Sequence, residues 1–318
     1  MRFGKGSVDA TLLMPAERFM FAAMLALATV CVVVVGLRGT RVDWATYAIV
    51  FACTVPLIVL GLYYRTRDRN VATANTLISA ACFLMFSPVA TAFTYQFLPV
   101  WREPIDPWLV SMDAMLGFHW PDAMDLAASY PLVGKIMWFA YLSWLPQYCL
   151  LIGALGFTGR TFELHTLMMA TVIGTLITIA VWTLFPSFGT AIIYDINETV
   201  QSQLQPVVGT KYGTELQRLI VEGPRMISPK DALGVIATPS FHTIMAVHAA
   251  LAWWTFRRLR PWALGLNLLI LPSTVVHGGH HLVDIFAGLA AAALAYYAAY
   301  AFLRFNHGSR GAPVPATI

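Results

Sequence analysis

Two short stretches of this chain carry side chains that could do covalent chemistry. The first is Pro239-Ser240-Phe241-His242-Thr243; the second is His277-Gly278-Gly279-His280-His281-Leu282-Val283-Asp284. His280 and Asp284 are four residues apart, a spacing that puts them on one face of a helix. A carboxylate beside an imidazole fixes its tautomer and supports positive charge on the ring, which a histidine nucleophile or base needs. His242 follows Ser240 at a predicted helix start, where free backbone N–H groups favour phosphate oxygens. A second histidine across a pocket could protonate a leaving oxygen. Phosphoryl transfer through a histidine nitrogen fits these residue types and spacings.

Each of these residues also has a structural reading. A histidine at the end of an apolar helix can simply reach toward lipid headgroups, although an ionisable group beside a membrane span is a functional suspect because burying it is costly. His248, two turns into an apolar run, reads as a hydrogen-bonded core residue, and His119 and His165 read as interface residues. Gly278 and Gly279 read as a helix break. His277, His281 and Asp284, at spacings of four and three, could share a helical face and bind zinc. That keeps a metal-dependent hydrolase open as an alternative.

The elements that must position these groups are apolar. Of 318 residues 58% are hydrophobic and 11% charged, and the mean hydropathy is +0.67. A soluble domain carries roughly 25% charged residues, so this chain cannot cover itself with a water-loving surface. Eight segments read as membrane spans, at 19–37, 44–64, 75–98, 132–157, 167–193, 238–256, 262–279 and 282–303, each near the ~20 residues that cross the hydrocarbon. Backbone groups in lipid must be bonded within the segment, which makes the spans helices. The fold class is therefore all-α, a polytopic membrane bundle. Prolines at 56, 88, 146 and 272 are candidate kinks. The run from Phe19 is too long for a signal peptide and reads as a retained span. Residues 99–131, rich in Trp and Pro, read as a headgroup-level segment with a short helix, and 194–237 as the longest polar stretch. The division expected is a two-helix N-terminal extension (1–74), a membrane-embedded core (75–303) and a disordered cytoplasmic tail (304–318). Cys31, Cys53, Cys82 and Cys149 fall in apolar runs without a pairing pattern, so no disulfide framework or cysteine metal site is expected.

Basic residues set the orientation. Twelve (Arg2, Lys5, Arg18, Arg65, Arg67, Arg69, Arg160, Arg257, Arg258, Arg260, Arg304, Arg310) flank the spans on one side. Eight (Arg38, Arg41, Arg102, Lys135, Lys211, Arg218, Arg225, Lys230) flank them on the other, diluted by acids and a long loop. The first side is expected to be cytoplasmic, with both termini. The two histidine stretches then share the extracytoplasmic face, and the short loops favour a bacterial inner membrane with the site on the periplasmic side.

Together the stretches resemble the motifs of the type 2 phosphatidic-acid phosphatase superfamily, P-S-G-H and S-R-x-x-x-x-x-H-x-x-x-D. Here Phe241 replaces the glycine of the first, and Thr274 replaces the arginine of the second, which runs from Ser273 through His280 to Asp284. Both departures are similar to the inositol phosphorylceramide synthase (aureobasidin-target) branch. The resemblance covers roughly residues 167–303 and implies a six-helix phosphatase-type core. It implies that His280 attacks phosphorus to form a phosphohistidine, Asp284 orients it, and His242 protonates the leaving group and then activates the acceptor. Ser240, Phe241 and nearby backbone N–H groups would hold phosphate oxygens. The third superfamily motif, K-x-x-x-x-x-x-R-P, finds Lys211 and Arg218 at the right separation, with Leu219 where proline stands. Arg225 and Lys230 lie as near the histidines in sequence, so the phosphate-binding cation is expected from these four.

Losing one guanidinium removes a bidentate phosphate clamp, which suits a singly charged diester better than a monoester. The function expected is a lipid phosphotransferase that moves a phospho-headgroup, phosphoinositol among the candidates, from a phospholipid to a lipid alcohol. Water as the acceptor would make it a lipid phosphate phosphatase of phosphatidic-acid or polyprenyl-phosphate type. A non-enzymatic lipid carrier is a further alternative. No cofactor, bound metal or nucleic-acid partner is expected.

Overall fold

Apolar runs of helix length, punctuated by proline and glycine, dictate an all-helical chain. The computed structural model describes residues 12–67 and 69–308; they form α-helices, one short 3-10 turn at Thr190–Ile192 and no strands. The N-terminal helices are α1 (Pro15–Arg38), α2 (Trp44–Thr66) and α3 (Val71–Tyr95). Two short helices follow, α4 (Asp106–Met115) and α5 (Trp120–Ala128), and then α6 (Pro131–Leu142), α7 (Trp144–Phe157) and α8 (Thr161–Leu184). The polar stretch carries α9 (Glu198–Leu204) and α10 (Thr210–Glu222), and the chain closes with α11 (Phe241–Trp253), α12 (Arg260–Gly278) and α13 (Leu282–Gly308).

Each of the eight predicted spans is helical, but not all are equally long or apolar. Five helices (α1, α2, α3, α8 and α13) are long and apolar enough to cross a membrane, and α6 with α7 makes a sixth if the bent pair is one span. The pair bends by 46° at Ser143, where Pro146, in the first turn of α7, has no N–H to continue the ladder. Pro56, Pro88 and Pro272 sit inside α2, α3 and α12 without ending them. Helix α11 has 13 residues, about 20 Å at 1.5 Å per residue, short of a ~30 Å hydrocarbon core. Helix α12 carries Arg260, Asn267, Ser273 and Thr274 among its 19 residues, which lowers its hydropathy. The span expected at 167–193 instead starts at Thr161 and stops at Leu184, because Pro186 disfavours helical backbone at Phe185. The expected tail also changes: α13 continues through Arg304 to Gly308. Residues 309–318 lie outside the described residues, as do Arg2, Lys5 and Arg310, which counted toward orientation.

The core sits where α3, α7, α8 and α11 meet, around Ile78, Tyr148, Leu151, Leu155, Leu167, Met168 and Met245. Helix α13 lies along α8 with Ala292, Ala295 and Ala299 fully buried, small residues that let helix backbones approach closely. Leu25, Val33, Ile49, Val59, Phe139, Leu150 and Tyr297 are exposed, the surface that a bilayer covers in an integral multi-pass protein. Helix α1 packs on α3, α8 and α13, and α2 on α3.

Candidate active site

Both histidine stretches lie at helix ends on one side of the bundle. Ser240 caps α11, its Oγ accepting from the Thr243 N–H at 3.4 Å. Helix α12 ends at Gly278 because Gly279 takes the left-handed conformation (φ 64°), which glycine adopts without a Cβ penalty. The Gly279 carbonyl accepts from the Thr190 N–H at 2.7 Å, the His277 carbonyl from the Val208 N–H at 2.9 Å, and the Asp284 carbonyl from the Ser240 N–H at 3.1 Å. The last bond joins the two motifs directly, backbone to backbone.

Asp284 holds His280 by a route other than the helical face expected from their spacing. His280 precedes α13, which begins at Leu282, so the two do not stack on successive turns. Instead Asp284, in the first turn, reaches back. Its Oδ2 accepts from the His281 N–H at 2.8 Å and lies 3.3 Å from His280 Nδ1, while its Oδ1 accepts from the Thr238 hydroxyl. The carboxylate thus caps the helix and orients the imidazole together. The other nitrogen, His280 Nε2, lies 3.5 Å from Ser240 Oγ. The His242 ring stands 6.2 Å from the His280 ring, centroid to centroid, at 71°. His242 stacks on Tyr141 at 4.4 Å and meets the edge of Trp144 at 5.9 Å, residues on either side of the bend at Ser143. The N–H groups of Phe241 and His242, at the start of α11, have no acceptor among the described residues. Such orphan donors at a helix N-terminus suit phosphate oxygens.

Behind this pocket stands a carboxylate pair that the sequence reading passed over. Asp106 and Asp113, both buried, are on α4. The Asp106 carboxylate accepts from the backbone N–H of Phe188 and Gly189 and from Ser187 Oγ, at 2.7 to 3.1 Å, and its Oδ1 lies 3.2 Å from His281 Nε2. Asp113 accepts from the N–H groups of Leu282 and Val283, both at 3.0 Å, and sits 3.6 Å from His281 Nδ1. It therefore caps α13 from another helix. Ser187 Oγ also pairs with Thr238 Oγ1 at 3.2 Å, so a continuous chain runs Asp284, Thr238, Ser187, Asp106, His281. His281 lies in the link between α12 and α13. Burial alone would lower its pKa, but the hydrogen bond to Asp106, the Asp113 carboxylate 3.6 Å away and the charge of Asp284 outweigh that and push it up to about 9. One sequence signal was available: 106 and 113 are seven apart, one face of a helix, in a segment too apolar to carry acids without partners.

The four candidate cations of the polar stretch are placed differently. Arg218 is held by Glu215 at 2.5 Å, Glu222 at 3.4 Å and the Gly223 carbonyl at 3.2 Å. Arg225 lies 4.0 Å from Glu222 and Lys230 4.0 Å from Asp43, both well exposed, and Lys211 is exposed on α10. None of them has a recorded contact with His242 or His280. Thr274, where the resemblance expects arginine, gives its hydroxyl to the Leu271 carbonyl at 2.7 Å.

The zinc alternative needs His277, His281 and Asp284 on one helical face. The break at Gly279 puts His277 on a different helix, with its Nε2 3.0 Å from the Gly134 carbonyl, and among the described residues no group of three His, Cys, Asp or Glu side chains is placed to hold a metal ion. Of the other histidines, His248 bonds the Ala292 carbonyl at 3.0 Å and the half-exposed His119 meets Asp122. His165 lies at the opposite end of the bundle, 3.8 Å from Glu17.

A family model described as PAP2 superfamily matches residues 107–298, more than half of the chain, from the start of α4 to deep in α13. No curated protein and no solved structure matches it.

Proposed function

The chain belongs to the PAP2 superfamily, whose chemistry is of lipid phosphatase and phosphotransferase type, and within that class we propose that it moves a phospho-headgroup between lipids through a phosphohistidine at His280. The observation that carries this reading is the pairing of a His280 ring, tied at Nδ1 to Asp284, with a His242 ring 6.2 Å away. Their neighbours among the described residues include Ser240, Tyr141 and Trp144.

In the first step His280 Nε2 attacks phosphorus. A P–N bond forms, the P–O bond to the diacylglycerol-type leaving group breaks, and His242 gives that oxygen its proton. Asp284 stabilises the charge that appears on His280. In the second step a lipid alcohol loses its proton to His242 and attacks phosphorus from the side vacated by the leaving group. The P–N bond breaks and both histidines return to their starting state. Ser240 Oγ and the N–H groups of Phe241 and His242 would hold the non-bridging oxygens. These donors are neutral. A diester carries one negative charge and a monoester nearly two, so a neutral donor set favours the diester. Lys211, Arg218, Arg225 and Lys230 would then attract anionic headgroups to the pocket mouth without gripping the reacting phosphate. The basic-residue pattern supports a site on the periplasmic face of a bacterial inner membrane, with both termini in the cytoplasm.

Purified protein incubated with phospholipids labelled at phosphorus, with and without ceramide or diacylglycerol as acceptor, tests this. The expected product is a new labelled lipid that needs the added alcohol, together with acid-labile label on the protein. Water-soluble label released with or without acceptor, as headgroup phosphate from a diester or inorganic phosphate from a monoester, would overturn transfer in favour of hydrolysis.

A further inference from the structure

Tyr141 stands two residues before the bend at Ser143, and its ring is the floor on which His242 stacks. It also borders His280. A Cβ on Gly278 would lie 2.8 Å from Tyr141 Cε2, 3.2 Å from its hydroxyl oxygen and 3.1 Å from His280 Cδ2. The hydroxyl and the Cδ2–Nε2 edge of His280 therefore crowd one point above Gly278, on the side of His280 that faces away from Asp284. A side chain at 278 would fill that point, so the glycine is what admits the tyrosine edge.

The Tyr141 side chain is buried, and a buried tyrosine O–H ordinarily finds a partner. Other buried tyrosines do: Tyr148 bonds the Met245 carbonyl at 3.4 Å and Tyr95 the Leu233 carbonyl at 3.2 Å. Among the described residues the Tyr141 hydroxyl makes no hydrogen bond, and its oxygen, unlike Thr243 Oγ1, is not fully enclosed. It is an unused donor between the two candidate catalytic rings.

We propose that the Tyr141 hydroxyl donates to a non-bridging oxygen of the phosphoryl group held between His280 and His242, so that Tyr141 contacts the substrate and Gly278 makes room for it. The assignment rests on the phosphohistidine reading above. As Nε2 closes on phosphorus, negative charge grows on the non-bridging oxygens, and a fixed donor in a water-poor pocket stabilises that charge most where it is greatest. The tyrosine keeps its proton throughout. It supplies a neutral donor, which the Thr274 hydroxyl, bonded within its own helix, does not.

Tyr141→Phe isolates the hydroxyl, because the ring still stacks on His242 and still fits over Gly278. In detergent-purified protein kcat on a phospholipid that the parent turns over should fall about 10²-fold, with the thermal unfolding midpoint unchanged. Orthovanadate, which becomes five-coordinate when a nucleophile adds to it and so mimics phosphorus in transfer, should bind more weakly by a similar factor, a measurement that needs no substrate. Tyr141→Leu, which loses the stacked ring as well, should fall further. Unchanged turnover and vanadate binding in Tyr141→Phe, beside an inactive His280→Ala, would overturn the assignment and leave the phosphohistidine reading intact. A His280→Ala protein that still turns over substrate would overturn that reading itself.

Discussion

The two ends of this bundle each bury a polar cluster, and the clusters are finished to different degrees. At the end away from the histidine motifs, Glu17 of α1 meets Arg65 of α2 in a bidentate pair at 2.5 and 2.8 Å. Arg65 also donates to Asn75 of α3 at 2.6 Å and to the Leu12 carbonyl at 3.1 Å, and Asn75 donates to Thr161 of α8 at 2.8 Å. Glu17 accepts the Met14 N–H as well. Both carboxylate oxygens and both terminal guanidinium nitrogens are taken up inside the protein. At the histidine end the acids are equally well satisfied, but by backbone N–H groups and by one side of each ring. His280 Nε2, the His242 ring, the Tyr141 hydroxyl and two α11 amides stay available. The first cluster leaves a single guanidinium nitrogen, Arg65 Nε, without a partner and no nucleophile, and it joins helices; the second leaves several donors beside a nucleophile and has capacity for a substrate.

That contrast predicts opposite outcomes for two substitutions. His280→Ala should lower turnover of phosphate esters by about 10⁴-fold or more and leave the unfolding midpoint in detergent where it was. Glu17→Ala should do the reverse. Removing one partner of a buried pair leaves an uncompensated charge and costs about 3–5 kcal/mol, visible as a lowered unfolding midpoint, while the kcat of the protein that remains folded stays near the parent value. Turnover lost in Glu17→Ala at full stability would break the division between the two ends.

Asp106 sharpens the comparison from within the histidine end. It touches neither His280 nor His242, yet it anchors the Phe188–Gly189 backbone and reaches Asp284 through Ser187 and Thr238. Asp106→Asn keeps the shape but has one fewer acceptor for four partners, the Phe188 and Gly189 N–H groups, the Ser187 hydroxyl and His281 Nε2. Loosening the frame of an aligned nucleophile by a fraction of an ångström should lower kcat by roughly 10- to 100-fold, with KM little changed and a smaller loss of stability than in Glu17→Ala. An equal drop in kcat and in the unfolding midpoint would make Asp106 a structural residue alone.

How much of this was legible beforehand depended on whether a feature is local. The helical class, the apolar runs and the meeting of residues 239–243 with 277–284 followed from hydropathy and from which ends of successive helices coincide. The stop of α8 at Leu184 was written in Phe185-Pro186, but the apolar run carries on past it and masks the signal. The separation of His280 from the helix was hidden, because a four-residue spacing looks the same whether the pair spans a turn or a capping residue reaches back. Asp106, Asp113 and Tyr141 come from elements far away in sequence. The seven-residue spacing of the two acids hints at a shared helical face, but their partners, backbone N–H groups and His281, and the ring stacked on Tyr141 cannot be read from spacing. The cations erred the other way: Lys211 and Arg218 have a meaningful separation, yet Arg218 meets Glu215 and Glu222 first, three and four residues away on its own helix.

The effect confined to stability lies in the pH dependence of the two clusters. His281 sits between Asp106 and Asp113, and the two carboxylates raise its pKa to about 9 against the opposing effect of burial; in the unfolded chain the value returns to roughly 6.5. A group whose pKa is raised by folding stabilises the folded state fully below the unfolded value, progressively less as pH climbs between the two values, and not at all above the folded one. The histidine end should therefore lose stability between about pH 6.5 and pH 9, and none of that loss should come from acidification. His281→Gln removes the titrating group, so its unfolding midpoint should start lower at pH 6 and converge on the parent near pH 9. Unfolding midpoints measured across that range for the parent, His281→Gln and Glu17→Ala decide the matter. Glu17→Ala should keep the parent's alkaline slope at a lower midpoint, because its cluster does not contain His281. If His281→Gln kept the slope as well, the imidazole would not be charged between the two acids, and the link from Asp106 to the base of α13 would be a neutral hydrogen bond.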